Sequence, residues 1–157
     1  RPLEAIRMGD PKGVTVAVIG VIHGNEEAGL LITDELVNMQ IPKGVNLWVI
    51  PSINPDGTAL DRRGNANRVD LNRNYGVDWK VNLAESTSKD PCSEFYPGKK
   101  GFTEKETQAM KSFLEAHKNE LKFVINFHSN GNSFMWPFNG RNPNDIEKRA
   151  PGVLSIV

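Results

Sequence analysis

Apolar residues gather in short runs along the first third of this chain, and the spacing of each run predicts an element. Residues 14–22 are nearly continuous in Val and Ile, a pattern typical of a strand buried on both faces of a parallel or mixed sheet. Residues 45–50 predict a second strand, and the segment between the two has helical spacing, which favours a β-α-β unit. We expect Asn25 to cap this helix, with Glu26 in its first turn. The predicted buried face of the helix comprises Ala28, Leu31, Ile32, Glu35, Leu36 and Met39.

The middle of the chain, residues 51–101, lacks such periodicity and is rich in Asn, Asp, Gly, Arg and Pro. A long irregular stretch inside a compact domain is typically functional or disordered, and the aromatic residues of this one favour order. Thr103 then begins a T-E-K-E capping box, and apolar residues at helical spacing follow it as far as His117. Residues 122–128 predict a further strand, and residues 133–138 are a candidate for another. The sequence therefore predicts an α/β fold, with a mixed, largely parallel β-sheet flanked by helices.

Composition limits the classes of partner. The chain has 157 residues, 38% of them hydrophobic, which suits one compact domain with a core. Its 19 basic and 19 acidic residues cancel, so we expect no nucleic acid and no anionic membrane surface as a partner. No apolar run approaches the roughly 18–20 residues that span a bilayer. The single cysteine, Cys92, excludes an internal disulfide but leaves the cellular compartment open.

Two histidines and a glutamate lie at the ends of predicted strands. His23 and Glu26 form an H-x-x-E pair after the first strand, and His128 ends the strand at residues 122–128. An isolated pair of this kind is more often a loop histidine beside a glutamate that complements a helix dipole. Here Gly24 permits a sharp turn after a buried strand, at the sheet edge where open α/β folds place their sites. Two imidazoles and one carboxylate would bind Zn²⁺ and leave one coordination position open.

Two polar motifs follow in the irregular middle of the chain. Asn54-Pro55-Asp56-Gly57 by itself is only a turn signature. Residues 69–74, V-D-L-N-R-N, place an arginine between two asparagines. This arrangement suits either a polar loop that satisfies its own backbone or a guanidinium that binds a carboxylate in bidentate fashion. Residue chemistry alone leaves the two interpretations balanced.

The order of these motifs resembles the zinc carboxypeptidase family. The motifs are H-G-N-E, N-P-D-G, R-x-N-x-x-x-x-D-L-N-R-N, and F-H-S at a strand end. P-C-S-E-F-Y-P-G at residues 91–98 is similar to a segment of the digestive-type members. The H-G-N-E spelling and the short link at residues 63–67 are closer to bacterial murein tripeptide amidases. Four motifs in the right order make a far more specific match than any one of them.

The resemblance implies a role for each matching residue. It implies one Zn²⁺ per chain, held by His23, Glu26 and His128, and a peptide substrate with a free C-terminal carboxylate. Asp70 would accept a hydrogen bond from the far nitrogen of His23 and fix its tautomer. The substrate-binding residues implied by the family are Asn72 and Arg73 for the terminal carboxylate, Ser129, and Arg63 for the oxyanion of the scissile carbonyl, with Arg62 as the less favoured alternative.

The chain departs from the family pattern in two respects. In disulfide-bearing relatives the cysteine of P-C-S-E has a partner just before the D-x-N-R-N motif, but residues 65–68 here are Asn, Ala, Asn and Arg. We therefore expect Cys92 to be free and buried. Family members also carry a general-base glutamate well beyond the second histidine, and Glu147 is better interpreted as a solvated charge. We expect residues 1–157 to form a partial catalytic domain, incomplete at both ends and inactive without the remainder of the domain.

The function that this resemblance implies is a zinc metallocarboxypeptidase, which hydrolyses the C-terminal peptide bond of peptides or proteins. Two other hydrolases share some or all of these motifs: an amidase of murein peptides and a deacylase of N-acyl amino acids. A non-catalytic module that binds zinc or peptide without the general base is the alternative from another class.

Overall fold

The computed structural model describes residues 1–76, 79 and 89–135. Its elements in chain order are β1 (Ile6–Gly9), β2 (Val14–Val21), α1 (Ala28–Asn38), β3 (Val45–Ser52), α2 (Pro55–Ala59), a 3-10 turn (Leu71–Arg73), α3 (Lys105–His117) and β4 (Leu121–Asn126). The strands form one sheet in the order β1-β3-β2-β4. Strand β2 pairs in parallel with β3 and β4, and β1 pairs antiparallel to β3. The predicted α/β fold with a mixed, largely parallel sheet is confirmed.

Both faces of the sheet carry a hydrophobic core. On one face Val18, Leu47 and Val49 are buried, and Leu36 and Val37 of α1 pack against them. On the other face the buried cluster consists of Ile19, Ile22, Ile50, Ile53, Leu71 and Met110, of which Met110 belongs to α3. Because successive residues of a strand point to opposite faces, a two-sided core requires the continuous apolar runs seen in β2 and β3. Among the described residues, no helix has the length and apolar character that crossing a membrane requires.

Helix α1 begins later than predicted, and of its predicted apolar face Leu36 packs against the core whereas most of the other residues are exposed. It starts at Ala28, with Glu27 as its N-cap residue, so Asn25 is not the cap and Glu26 lies before the helix. The buried residues of α1 are Gly29 and Thr33, whereas the predicted Leu31 is 71% exposed. A Cβ on Gly29 would lie 1.8 Å from the carbonyl oxygen of Gly20 in β2. The orientation of the helix was mispredicted because α1 packs on β2 through Gly29, which has no side chain. A search for apolar residues at helical spacing does not detect such a contact.

The predicted capping box at the start of α3 is also wrong. The N-cap residue is Glu104, and its side chain makes no capping bond. Instead the buried Asn74 supplies the acceptor, because its Oδ1 receives hydrogen bonds from the Glu104 backbone N–H (3.2 Å) and the Thr107 hydroxyl (2.8 Å). The Thr103 hydroxyl accepts a bond from Asn74 Nδ2 at 2.8 Å. A residue thirty positions away thus replaces the local cap.

Three smaller differences concern single segments. Strand β1 was not predicted, because its four residues are mostly exposed and are too few to establish an apolar alternation. The candidate strand at residues 133–138 is not formed at residues 133–135, and its remainder lies outside the described residues. Cys92 is free, as expected, but it is exposed rather than buried. It lies in a turn whose backbone N–H groups bond to Asp90, so the segment is held by polar contacts and not by a core.

Candidate functional site

Three parallel strands end at the same edge of the sheet, and the site residues lie directly after them. β2, β3 and β4 end at Val21, Ser52 and Asn126, and His23, Asn54 and His128 each follow two residues later. The carboxyl ends of parallel strands lie side by side, so these three side chains converge. The turn after β2 is closed by a hydrogen bond of 3.0 Å from the Glu26 N–H to the His23 carbonyl. It returns the Glu26 carboxylate toward the histidine that precedes it.

The two histidines and the glutamate form a compact ligand set. His23 Nδ1 lies 2.9 Å from Glu26 Oε1, and His128 Nδ1 lies 2.8 Å from Glu26 Oε2. One ligand atom from each of these residues lies within 4.8 Å of the others. His23 and Glu26 are buried, at 2% and 8% exposure, while His128 is partly exposed. Two imidazole nitrogens and a carboxylate match the ligand set of a catalytic zinc site.

The tautomer of His23 indicates that a cation suits this position. His23 Nε2 lies 3.0 Å from Asp70 Oδ1, so the ring donates its proton there and presents a lone pair at Nδ1. That lone pair faces the Glu26 carboxylate at 2.9 Å. Two acceptors at this distance require a proton or a metal ion between them. The residues present therefore fit Zn²⁺.

Asp70 and Arg63 extend the ligand set into a charged network. Asp70 is fully buried, and its Oδ2 accepts a bond of 2.9 Å from Arg63 Nε. Arg63 Nη1 donates to Glu26 Oε1 at 3.1 Å. The guanidinium has five N–H groups, so these two bonds leave donors for a further acceptor. Arg62, by contrast, donates to the carbonyl of Ala66 at 3.1 Å, outside this network.

The protonation preferences of the ligand set agree with metal binding. Burial raises the pKa of Glu26, but the charge of His23 and the contacts with His128 outweigh it and lower the pKa overall. Burial likewise raises the pKa of Asp70, and the bond and charge of His23, with the charges of Arg63 and Arg73, bring it below its usual value. The pKa of His128 is lowered, chiefly by burial. Ionised carboxylates and a neutral imidazole are the forms that bind metal.

Asn54 has a structural role that the turn signature did not reveal. Its side-chain Nδ2 donates to the carbonyls of Ile22 (3.0 Å) and Arg63 (3.1 Å), and its Oδ1 accepts from the Gly57 N–H (3.0 Å). A Cβ on Gly24 would lie 2.0 Å from the carbonyl carbon of Gly57, so the two motifs are in direct backbone contact. Asn54 thus fixes the arginine-bearing segment beside the strand that ends in the first histidine.

The remaining predicted residues lie next to this network. Asn72 is exposed, and its backbone N–H bonds to Asp70 Oδ1 at 2.9 Å. Arg73 is partly exposed, and its Nε is buried without a hydrogen-bond partner in the described part of the chain. The hydroxyl of Ser129 accepts a bond of 3.1 Å from the Ala28 N–H, and its own N–H contacts Glu26 Oε2 at 3.3 Å. Ser129 therefore joins the start of α1 to the segment that follows β4.

Comparisons with known proteins match this geometry. The family model described as zinc carboxypeptidase matches residues 1–151. The zinc carboxypeptidase of Simulium vittatum is 27% identical over 163 residues, which is 88% of this chain and 53% of that protein. A protein of Paracoccidioides lutzii named as an inactive metallocarboxypeptidase is 30% identical over 132 residues, 69% of this chain and 22% of that one. The crystal structure of carboxypeptidase A from Helicoverpa armigera superposes with a TM-score of 0.79 at 22% identity, covering 93% of this chain and 42% of that one.

Two observations together define the class of this protein. His23, Glu26 and His128 converge at the carboxyl edge of an α/β sheet, and the family model matches almost the entire length of the chain. The chain belongs to the zinc carboxypeptidase family. It spans about half or less of the length of the three proteins compared above.

Proposed function

We propose that this chain forms the metal-binding part of a zinc metallocarboxypeptidase, which hydrolyses the C-terminal peptide bond of its substrate. The observation that supports this proposal most is the convergence of His23, Glu26 and His128. Asp70 fixes the first of these histidines, and Arg63 lies against the glutamate. Exposed acidic groups can cluster without any function. A largely buried set of two histidines and a glutamate, one histidine of which has a fixed tautomer, is a more specific indication of a metal site.

The chemistry divides among the residues of the network. A Zn²⁺ bound by the three ligands supplies Lewis acidity, which polarises a carbonyl and acidifies water. Asp70 holds the His23 ring with Nδ1 free to ligate. Arg63 directs its unused N–H groups at the carbonyl oxygen of the scissile bond, where negative charge develops during attack. Its bonds to Asp70 and Glu26 fix the guanidinium before substrate arrives, so little reorganisation accompanies the reaction.

Recognition of the substrate's free carboxylate falls to Asn72 and Arg73 in this proposal. Arg73 has a buried Nε that no acceptor satisfies within the described residues. A buried donor without a partner is costly, and a bidentate carboxylate would satisfy it. The 3-10 turn that carries both residues is capped by the side chain of Asp70, which links carboxylate binding to the metal ligands.

A non-catalytic zinc- or peptide-binding module is the second candidate. The observation that favours it is the similarity to a protein named as an inactive metallocarboxypeptidase. In such a module the ligand set would bind metal without turnover. An amidase of murein peptides remains the nearest enzymatic alternative, because it would use the same residues on a different amide bond.

Metal content and substrate choice test the proposal. Protein purified without chelators should contain one zinc per chain by elemental analysis, and its melting temperature should rise when zinc is restored after chelation. In the full-length natural protein, Arg73→Ala should weaken the binding of a peptide with a free terminal carboxylate and so raise its KM. We expect a loss of binding free energy of roughly 1.5–3 kcal/mol, the contribution of a hydrogen bond to a charged group. The matched control is Arg68→Ala, which removes a nearby exposed arginine.

Equal kinetics for a free-acid peptide and its C-terminal amide would contradict the carboxypeptidase assignment. Stoichiometric zinc with no cleavage of either peptide, or of murein peptides, would favour the binding module. Absence of zinc binding would contradict both.

A further inference from the structure

Phe95 is a large apolar side chain whose position the hydrophobic core does not explain. It is 45% exposed and belongs to neither of the two core clusters. Its ring instead lies against Arg63, with the guanidinium carbon 5.1 Å from the ring centroid. Because Arg63 is the arginine that contacts Glu26, this aromatic residue borders the ligand set.

The segment that carries Phe95 is fixed to the same network. The carbonyl of Tyr96 accepts a hydrogen bond of 2.7 Å from the Asp70 N–H. The Asp70 carboxylate in turn holds Arg63 Nε at 2.9 Å. The Phe95 N–H donates to the Ser93 hydroxyl at 3.2 Å, which orients the turn. Consecutive residues 95 and 96 therefore contact the side chain of Arg63 and the backbone of the residue that binds it, so the ring and the guanidinium are placed together.

Arg63 makes two kinds of contact, hydrogen bonds to carboxylates and packing against an aromatic ring. Its Nε and Nη1 atoms donate to Asp70 and Glu26, whereas its guanidinium carbon lies over the Phe95 ring. The two hydrogen bonds fix the guanidinium at two of its edges, and rotation about the axis between those edges is the motion that they oppose least. An aromatic ring packed against the guanidinium opposes that motion, and it also excludes water, which strengthens the electrostatic effect of the cation.

We propose that Phe95 is a positioning residue, which holds the Arg63 guanidinium in the orientation needed to stabilise charge on the scissile carbonyl. This inference rests on the proposed function, since it assigns Arg63 to the oxyanion. Phe95 acts only through Arg63 and has no part in zinc ligation. Its contribution therefore belongs to the rate of the chemical step and depends on the presence of the arginine.

A double-mutant cycle tests the dependence. In the zinc-loaded, full-length natural protein, Phe95→Ala should lower kcat by about 2- to 30-fold, the range that a cation–π contact of about 0.5–2 kcal/mol converts to, with KM nearly unchanged. The same substitution in an Arg63→Ala background should have no further effect on kcat. Phe95→Tyr should retain the parent rate, and Phe95→Leu, which keeps bulk but lacks a π face, should not. Phe123→Ala is the matched control, because Phe123 in β4 is a phenylalanine of similar exposure, at 43%.

Nuclear magnetic resonance separates this inference from the proposed function. The guanidinium protons of Arg63 should be shielded by the ring in the parent protein and lose that shift in both Phe95→Ala and Phe95→Leu. Equal losses of kcat with and without Arg63, or a loss confined to KM, would overturn the positioning role. A ring-shifted arginine in a protein that cleaves no amide would overturn the proposed function, and with it the kinetic role of Phe95.

Discussion

Asp70→Asn is the substitution that most directly tests how the ligand set is held. The fully buried Asp70 carboxylate accepts three bonds, from His23 Nε2 (3.0 Å), Arg63 Nε (2.9 Å) and the Asn72 N–H (2.9 Å). Asparagine is nearly the same size but has one oxygen and one donating NH₂ group. Whichever way the amide is turned, its NH₂ faces either the imidazole or the guanidinium.

Each orientation has a distinct consequence. With the NH₂ toward Arg63, two donors oppose each other and a buried cation loses a charged acceptor, which we expect to cost about 2–4 kcal/mol of unfolding free energy. With the NH₂ toward His23, Nε2 becomes an acceptor, so the ring proton moves to Nδ1 and blocks the ligand atom. Substitution of such a supporting residue typically weakens metal binding about 10- to 100-fold. We therefore expect a loss in both stability and zinc affinity.

Zinc affinity is measured by competition with a chelator of known affinity, and stability by urea unfolding in excess chelator, so that the two effects are read separately. The matched control is Asp56→Asn, which removes a carboxylate that pairs at 2.6 Å with Arg1 at the surface. That control should change neither quantity measurably. A zinc dissociation constant for Asp70→Asn within twofold of the parent value would refute the argument that this carboxylate sets the His23 tautomer.

Two further predictions concern the fold around the site. Gly29→Ala should destabilise the protein by about 1–3 kcal/mol or more in urea unfolding, because the new Cβ would lie 1.8 Å from the Gly20 carbonyl oxygen; an unchanged midpoint would contradict the close packing of α1 on β2. Burial raises the pKa of Tyr75 to about 12. Since the unfolded state ionises first, the stability from this raised pKa is intact below pH 10 and is lost as the pH rises toward 12, by about 2–3 kcal/mol. Tyr75→Phe should remove that part of the alkaline destabilisation, and an identical pH profile for both proteins would be evidence against it.

Strands β2, β3 and β4 and the proximity of His23, Glu26 and His128 could be predicted from the sequence because their signals are local. Continuous apolar runs specify two-sided strands wherever they occur, and residues directly after such strands must lie at one edge. His23 and His128 could therefore be predicted to lie close together, although they are 105 positions apart in the chain. Glu26 could be added to the same set because it lies three positions after His23, a spacing that one turn of the backbone closes.

The positions that sequence reasoning missed depend on contacts between distant segments. Asn54, Asn65 and Asn74 are buried, and each bonds to backbone or side chains of other segments. Asparagine in an irregular stretch ordinarily indicates a turn, and no periodicity distinguishes one that is exposed from one that binds a strand end 32 residues away. The late start of α1 and the contact of Phe95 with Arg63 were hidden for the same reason. The signal that could have revealed them is the density of asparagines in an ordered loop, because buried polar groups must find partners.

The last prediction separates metal binding from catalysis. Attack of water on a peptide bond needs a general base within hydrogen-bond reach, directly or through one water. Among the described residues, the carboxylates in contact with the two site histidines and Arg63 are Glu26 and Asp70, and all four of their oxygens already accept bonds from that network. We therefore expect a protein limited to residues 1–157 to bind zinc yet cleave a C-terminal amide bond at least about 100-fold more slowly than a form that supplies a general base, the lower end of what acid–base catalysis contributes. Chelator competition and a peptidase assay on both forms, each with Glu26→Ala as the metal-free control, make the comparison. Comparable turnover by residues 1–157 would refute it, and loss of that turnover in Glu147→Gln or Glu27→Gln would then identify the base.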